Sequence, residues 1–99
     1  MLNSKQRSHL AGLAQTLEPQ IMLGKGGASE AFVGQLERIL ADHELVKLRF
    51  VDFKESRHEL AVELAARTKS ELVRVIGNVA VFFRRNPNPD KRTVDFGDL

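Results

Sequence analysis

Near the start of the chain, apolar residues recur at helical spacing. Leu10, Leu13, Ala14 and Leu17 stand three and four apart and give one apolar helix face, with Lys5, Arg7, His9 and Gln15 opposite. Asn3 and Gln6 have the spacing of a reciprocal capping box, and Pro19 stops the helix at or before Glu18. Gln20-Ile21-Met22-Leu23 is short, apolar and bounded by Pro19 and glycines, which predicts a buried strand. After Gly24-Lys25-Gly26-Gly27, a second helix starts near Ser29, presents Phe32, Leu36, Ile39 and Leu40, and ends around Asp42-His43-Glu44. Residues 45–51 alternate: Val46, Leu48 and Phe50 point one way, Lys47 and Arg49 the other. Ser56 and Glu59 have capping-box spacing and predict a third helix with Leu60, Ala61, Leu64 and Ala65 on one face, fading near Thr68-Lys69-Ser70. Residues 72–76 and 79–83 read as two strands joined by Gly77-Asn78, and glycine at the first turn position suits a type II′ hairpin.

The predicted order is α-β-α-β-α-β-β: an α/β domain with a four-stranded mixed sheet and three helices. Each β-α-β unit implies parallel strands, and the final pair is antiparallel. Arg74, between Val73 and Val75, repeats the alternation of residues 45–51. Lys47, Arg49 and Arg74 are therefore candidates for one sheet surface, subject to strand order. Asn86-Pro87-Asn88-Pro89-Asp90 breaks regular structure, so the domain is expected over residues 1–85, with 86–99 a polar tail, either mobile or a loosely docked strip.

Composition narrows the class. A chain of 99 residues is one domain, and 42% hydrophobic with 28% charged residues is an ordinary globular balance. No apolar run approaches the ~20 residues of a membrane span, and the start lacks a signal-peptide core. No membrane partner is expected, and the cytoplasm is the expected compartment. With no cysteine, there is no disulfide framework, thiolate metal site or thiol nucleophile. The formal net charge of +2 is too small to demand a nucleic-acid partner by itself; the distribution of charge has to carry that argument.

The most informative feature is Gly24-Lys25-Gly26-Gly27 between a strand and a helix. The glycines permit positive φ and close approach of a ligand, the helix start behind them offers unpaired amides, and Lys25 adds a positive charge. The segment suits a phosphate; it also suits a plain tight turn. It has neither the spacing of a nucleotide P-loop nor that of the dinucleotide fingerprint, since Ser29 stands where the latter needs glycine. Its Gly-x-x-Gly spacing matches the backbone clamp of KH domains, but that loop joins two helices and this one follows a strand.

The larger pattern is more specific. Over roughly residues 3–85, the chain resembles the YhbY-type proteins, bacterial single-domain members of the CRM family (chloroplast RNA splicing and ribosome maturation). The residues that carry the resemblance are Lys5-Gln6-Arg7, Leu10-Ala11-Gly12-Leu13-Ala14, Glu18-Pro19, Gly24-x-x-Gly27, His43-Glu44-Leu45-Val46-Lys47, Val75-Ile76-Gly77 and Phe82-Phe83-Arg84. Ala28-Ser29 replaces the Leu-Thr common after the last glycine, and Phe83 stands where a tyrosine is common. The resemblance implies a fold like the C-terminal domain of bacterial translation initiation factor three. It also implies a non-catalytic RNA-binding protein associated with precursors of the large ribosomal subunit, with ribosomal RNA as partner. The backbone would be contacted by Gly24, Lys25, Gly26 and Gly27 and nearby basic residues.

The candidate basic residues are Lys5, Arg7, Lys47, Arg49, Arg74 and Arg84, with Arg85 beside them. Lys5 and Arg7 are expected near the glycine loop, because Pro19 turns the first helix into the first strand. The alternative for the sheet cations is a solvated face partnered by Glu44 or Glu71. Phe32, Phe50, Phe53, Phe82 and Phe83 are candidates for a base-stacking platform, but most are expected in the core, and Phe53 is the least constrained by pattern. With no tyrosine or tryptophan, recognition of backbone and shape is favoured over base-by-base reading. His9, His43 and His58 have no metal-ligand spacing, and no nucleophile elbow or acid/base pair is found, so no cofactor, metal or catalytic site is expected. A second class of function is a protein-interaction module that docks on ribosomal proteins or assembly factors.

Overall fold

The computed structural model describes residues 2–99. Its helices are α1 (Ser4–Ala14), α2 (Glu30–His43) and α3 (Arg57–Thr68); its strands are β1 (Ile21–Leu23), β2 (Leu45–Phe50), β3 (Glu71–Ile76) and β4 (Val79–Phe83). The order is the predicted one. The sheet order is β1-β2-β4-β3, with β1 parallel to β2 and β4 antiparallel to both its neighbours. Among the described residues, no helix is long and apolar enough to cross a membrane.

The two faces of the sheet bury different clusters. Val46, Leu48, Phe50, Ala80 and Phe82 pack beneath α2 and α3 against Leu36, Leu40, Ala61 and Leu64. On the other face, α1 lays Leu10, Ala11 and Ala14 on Leu45, Val73, Val81 and Phe83. α1 covers only part of that face, so Met22, Arg49, Arg74 and Ile76 stay exposed.

Local chemistry explains the boundaries. Asn3 and Gln6 form the expected reciprocal cap. α1 ends at Ala14, well before Pro19, as Gln15, Thr16 and Leu17 donate to carbonyls three residues back and tighten the last turn. The Ser56–Glu59 capping box does not form. A 3-10 turn over Lys54–Ser56 leads into α3, and Ser56, at φ −101° and ψ 12°, lacks the extended backbone from which a cap side chain reaches back. At the hairpin, Gly77 has φ +56° and Asn78 is not among the positive-φ residues, as a type II′ turn requires.

The strict alternation expected around Arg74 is broken by an irregularity in the β3–β4 register between Leu72 and Arg74. Val73 joins the α1 cluster, Val75 packs toward α2 and α3, and Arg74 pairs with Val81 on the α1 face. A bulge re-aims side chains in this way.

Residues 86–99 pack on the domain. Val94 is buried and Phe96 packs beside it, with its ring edge-on to Phe83 at 5.4 Å and beneath the Arg85 guanidinium at 5.1 Å. The anchor is Glu44, a fully buried carboxylate at the end of α2. Its Oε1 accepts from the Thr93 and Val94 amides at 2.8 and 3.1 Å, its Oε2 from the Asn86 amide at 2.6 Å, and Arg85 lies 3.7 Å away. Burial opposes the charge, but the three amides and Arg85 outweigh it and hold the carboxyl below its usual pKa.

Candidate nucleic-acid interface

The C-terminal ends of β1, β2 and β3 and the start of β4 lie at one end of the sheet. The loop after β1 is the glycine segment. The Gly27 amide donates to the Gly24 carbonyl at 3.0 Å and closes a tight turn, with Gly27 at φ +65°. Among the described residues, the Lys25 and Gly26 amides donate to no backbone carbonyl. Ser29 caps α2 by accepting from the Phe32 amide at 3.1 Å. Lys25 and Gly26 are exposed, so donors, a cation and a helix start face solvent together. Glu30 in the first turn of α2 tempers this positive end.

The open part of the sheet adjoins this loop. Met22, Arg49, Val79 and Ile76 form one row across all four strands. Lys47, Val81 and Arg74 form the next. Register therefore places Lys47, Arg49 and Arg74 on the same face. Arg49 and Arg74 are exposed, and among the described residues neither they nor Lys25 form an ion pair or a side-chain hydrogen bond.

The other cations are engaged within the fold. The Lys47 ammonium donates to the Ala14 and Leu17 carbonyls, both at 3.1 Å, and closes the open end of α1. Arg84 donates to the Thr68 carbonyl and to Glu37, tying β4 to α2 and α3. Arg7 donates to the Leu72 carbonyl at 2.6 Å. Leu72 is the second residue of β3, at the opposite end of the sheet from the glycine loop. Lys5 stands two residues earlier than Arg7, in the first turn of α1, and the Leu2 amide just before that helix donates to Glu71, also at the start of β3. The expected proximity of Lys5 and Arg7 to the loop is therefore not met, because the N-terminal end of α1 is fastened to the start of β3.

Two further residues stand at the loop: Arg67, which the sequence pattern did not single out, and Phe53, the phenylalanine it left least constrained. Arg67, from the last turn of α3, donates to the Ala28 carbonyl at 2.8 Å and pairs with Glu63 at 3.4 Å. Its i, i+4 spacing from Glu63 is visible in the sequence; its reach across to the loop is not. Phe53 has φ +59° and an exposed ring whose Cε2 and Cζ would lie 3.4 and 3.5 Å from a Cβ on Gly27. Phe50, Phe82 and Phe83 are core residues and Phe32 is partly buried, as expected.

The CRS1/YhbY (CRM) domain model matches residues 2–84. The chain belongs to this family. A Pseudomonas aeruginosa protein named as a probable RNA-binding protein is 34% identical over 91 residues, covering 91% of this chain and 88% of its own. A Haemophilus influenzae RNA-binding protein is 34% identical over 84 residues, 84% of this chain and 85% of its own. The solution structure of a Staphylococcus aureus protein superposes with a TM-score of 0.78 at 36% identity, covering 90% of this chain and 94% of that one. The CRM match ends before the docked strip, so Glu44 ties a family domain to a segment outside the match.

Proposed function

We propose that this CRM protein is a non-catalytic RNA-binding protein of the cytoplasm, and that it acts on precursors of the large ribosomal subunit by holding the backbone of ribosomal RNA. The observation that carries the reading is the glycine loop, with two undonated amides and Lys25 facing solvent beside the free guanidinium groups of Arg49 and Arg74. Family membership and relatives named as RNA-binding support it. Phosphate oxygens suit such a site: amides supply directional donors and the cations supply charge. The contact set is Gly24, Lys25, Gly26, Gly27, Arg49 and Arg74. Lys47, Arg7 and Arg84 act within the fold, and Lys5 stands at the far end.

The test is Lys25→Glu. Its affinity for ribosomal RNA fragments is expected to fall several-fold, and its log–log salt slope to shrink by about 0.7–0.9, the share of one phosphate that is no longer neutralised. The melting temperature should stay unchanged, since among the described residues the exposed Lys25 side chain makes no ion pair or hydrogen bond. Unaltered RNA affinity in a folded Lys25→Glu protein would remove the loop from the interface. Met22 and Ile76, 58% and 59% exposed on the open sheet, favour a second reading in which a ribosomal protein or assembly factor docks there. Comigration with large-subunit precursors that survives ribonuclease would favour the protein contact; comigration abolished by the treatment would favour RNA.

A further inference from the structure

We infer that Phe53 is a base-stacking residue of the glycine-loop site, and that the site therefore takes an unpaired RNA segment in preference to a duplex. The inference rests on the RNA-binding reading above and narrows its ligand. A ring built for the core would be buried, and this one is 42% exposed and belongs to neither buried cluster. It is nevertheless held in place. The Val51 and Asp52 amides both donate to the Leu23 carbonyl, at 2.9 and 3.2 Å, which anchors residues 51–53 at the root of the glycine loop. The Asp52 carboxylate accepts from the Phe53 amide at 2.8 Å, and the Phe53 carbonyl accepts from Ser56 at 3.0 Å. The backbone sits in the left-handed region, at φ +59° and ψ +32°, which disfavours a bulky side chain. This is an exposed aromatic in a disfavoured conformation, fixed on both sides, and its ring stands where a side chain at Gly27 would meet it, beside that loop.

The chemistry follows from the position. A phosphate seated on the Lys25 and Gly26 amides places its own base or a neighbour's within reach of a ring that stands beside Gly27. Any base stacks on an aromatic face, so the contact is tolerant of sequence. A base inside a duplex has both faces covered, whereas bases in loops and single strands have a face free. Exposed Val51 continues the apolar surface, and Lys54 and Arg57 supply positive charge beside Asp52 and Glu55. Phe53 is also the aromatic suited to this task at this end: Phe50 and Phe82 are buried, and Phe83 and Phe96 lie with α1 and the C-terminal strip.

The chain has no tryptophan, so Phe53→Trp carries a single indole at the site. An oligouridylate of about ten nucleotides and a duplex of equal length are titrated at one salt concentration onto wild type, Phe53→Trp, Phe53→Leu and Lys25→Glu. Phe53→Trp is expected to bind the single strand as tightly as wild type, with saturable quenching of its emission. Phe53→Leu keeps an apolar side chain beside the loop but offers no π face. Its single-strand affinity is expected to fall roughly 5- to 100-fold, with duplex affinity unchanged. Wild-type single-strand affinity in folded Phe53→Leu, or indole emission that does not move at saturating RNA, overturns the stacking role. Should Phe53→Leu fail to fold, the indole decides. Lys25→Glu separates the two readings. Weakened binding there with none in Phe53→Leu keeps the loop and overturns stacking; weakened binding in Phe53→Leu with none in Lys25→Glu does the reverse. No binding by wild type to either RNA overturns both.

Discussion

Replacing Glu44 by glutamine removes one charge and one acceptor from the centre of the strip's attachment. In the wild type, three backbone amides converge on the carboxylate, with Arg85 close by. A glutamine oxygen can keep the Thr93 and Val94 bonds, without their charge assistance. Its NH2 then faces the Asn86 amide, donor to donor. Weakening two charged bonds and orphaning one half-buried amide amounts to about 2–4 kcal/mol. In a domain of this size each kcal/mol moves the melting temperature by about 4–8 °C, so a fall of roughly 8 °C or more is expected by circular dichroism. Detachment of the strip should also speed tryptic cleavage after Lys91 and Arg92. The pH dependence has a definite sign. The folded-state pKa of Glu44 lies below its ordinary value, so its contribution is present above the carboxylate range and is lost as pH falls through the folded pKa. Wild type should therefore lose more stability on acidification than Glu44→Gln. A variant that melts within about 1 °C of wild type, with an unchanged cleavage rate, would refute this account of the buried carboxylate.

Other outcomes follow from the loop and from α1. Gly27→Ala should lose about 1–2 kcal/mol in urea unfolding, because φ +65° disfavours a Cβ that would also meet the Phe53 ring; Gly26→Ala, with open space and no positive φ, should unfold like wild type. Lys47→Met should lose about 1–3 kcal/mol as the Ala14 and Leu17 carbonyls lose their shared donor, and hydrogen exchange should rise in the last turn of α1.

The element order and the glycine turn were legible in the sequence because they depend on local rules. Helical spacing, alternation over residues 45–51, the Asn3–Gln6 cap and Gly77-Asn78 each act within a few residues of themselves. The Ser56–Glu59 pair was legible too and misled, since a 3-10 turn took the backbone that a cap needs.

The sequence by itself determined the fold class, the family pattern and the surface loop where a phosphate could sit. Tertiary structure alone decided which cations remain available. Lys47 and Arg49 alternate with the same apolar residues, yet α1 crosses over one and leaves the other bare. Arg84 and Arg85 are adjacent in the chain, and one clips two helices while the other lies over Phe96. Glu44 looks like an ordinary helix end until residues fifty positions later bring their amides to it. A charge acquires its role from what packs against it, and those partners come from distant parts of the chain.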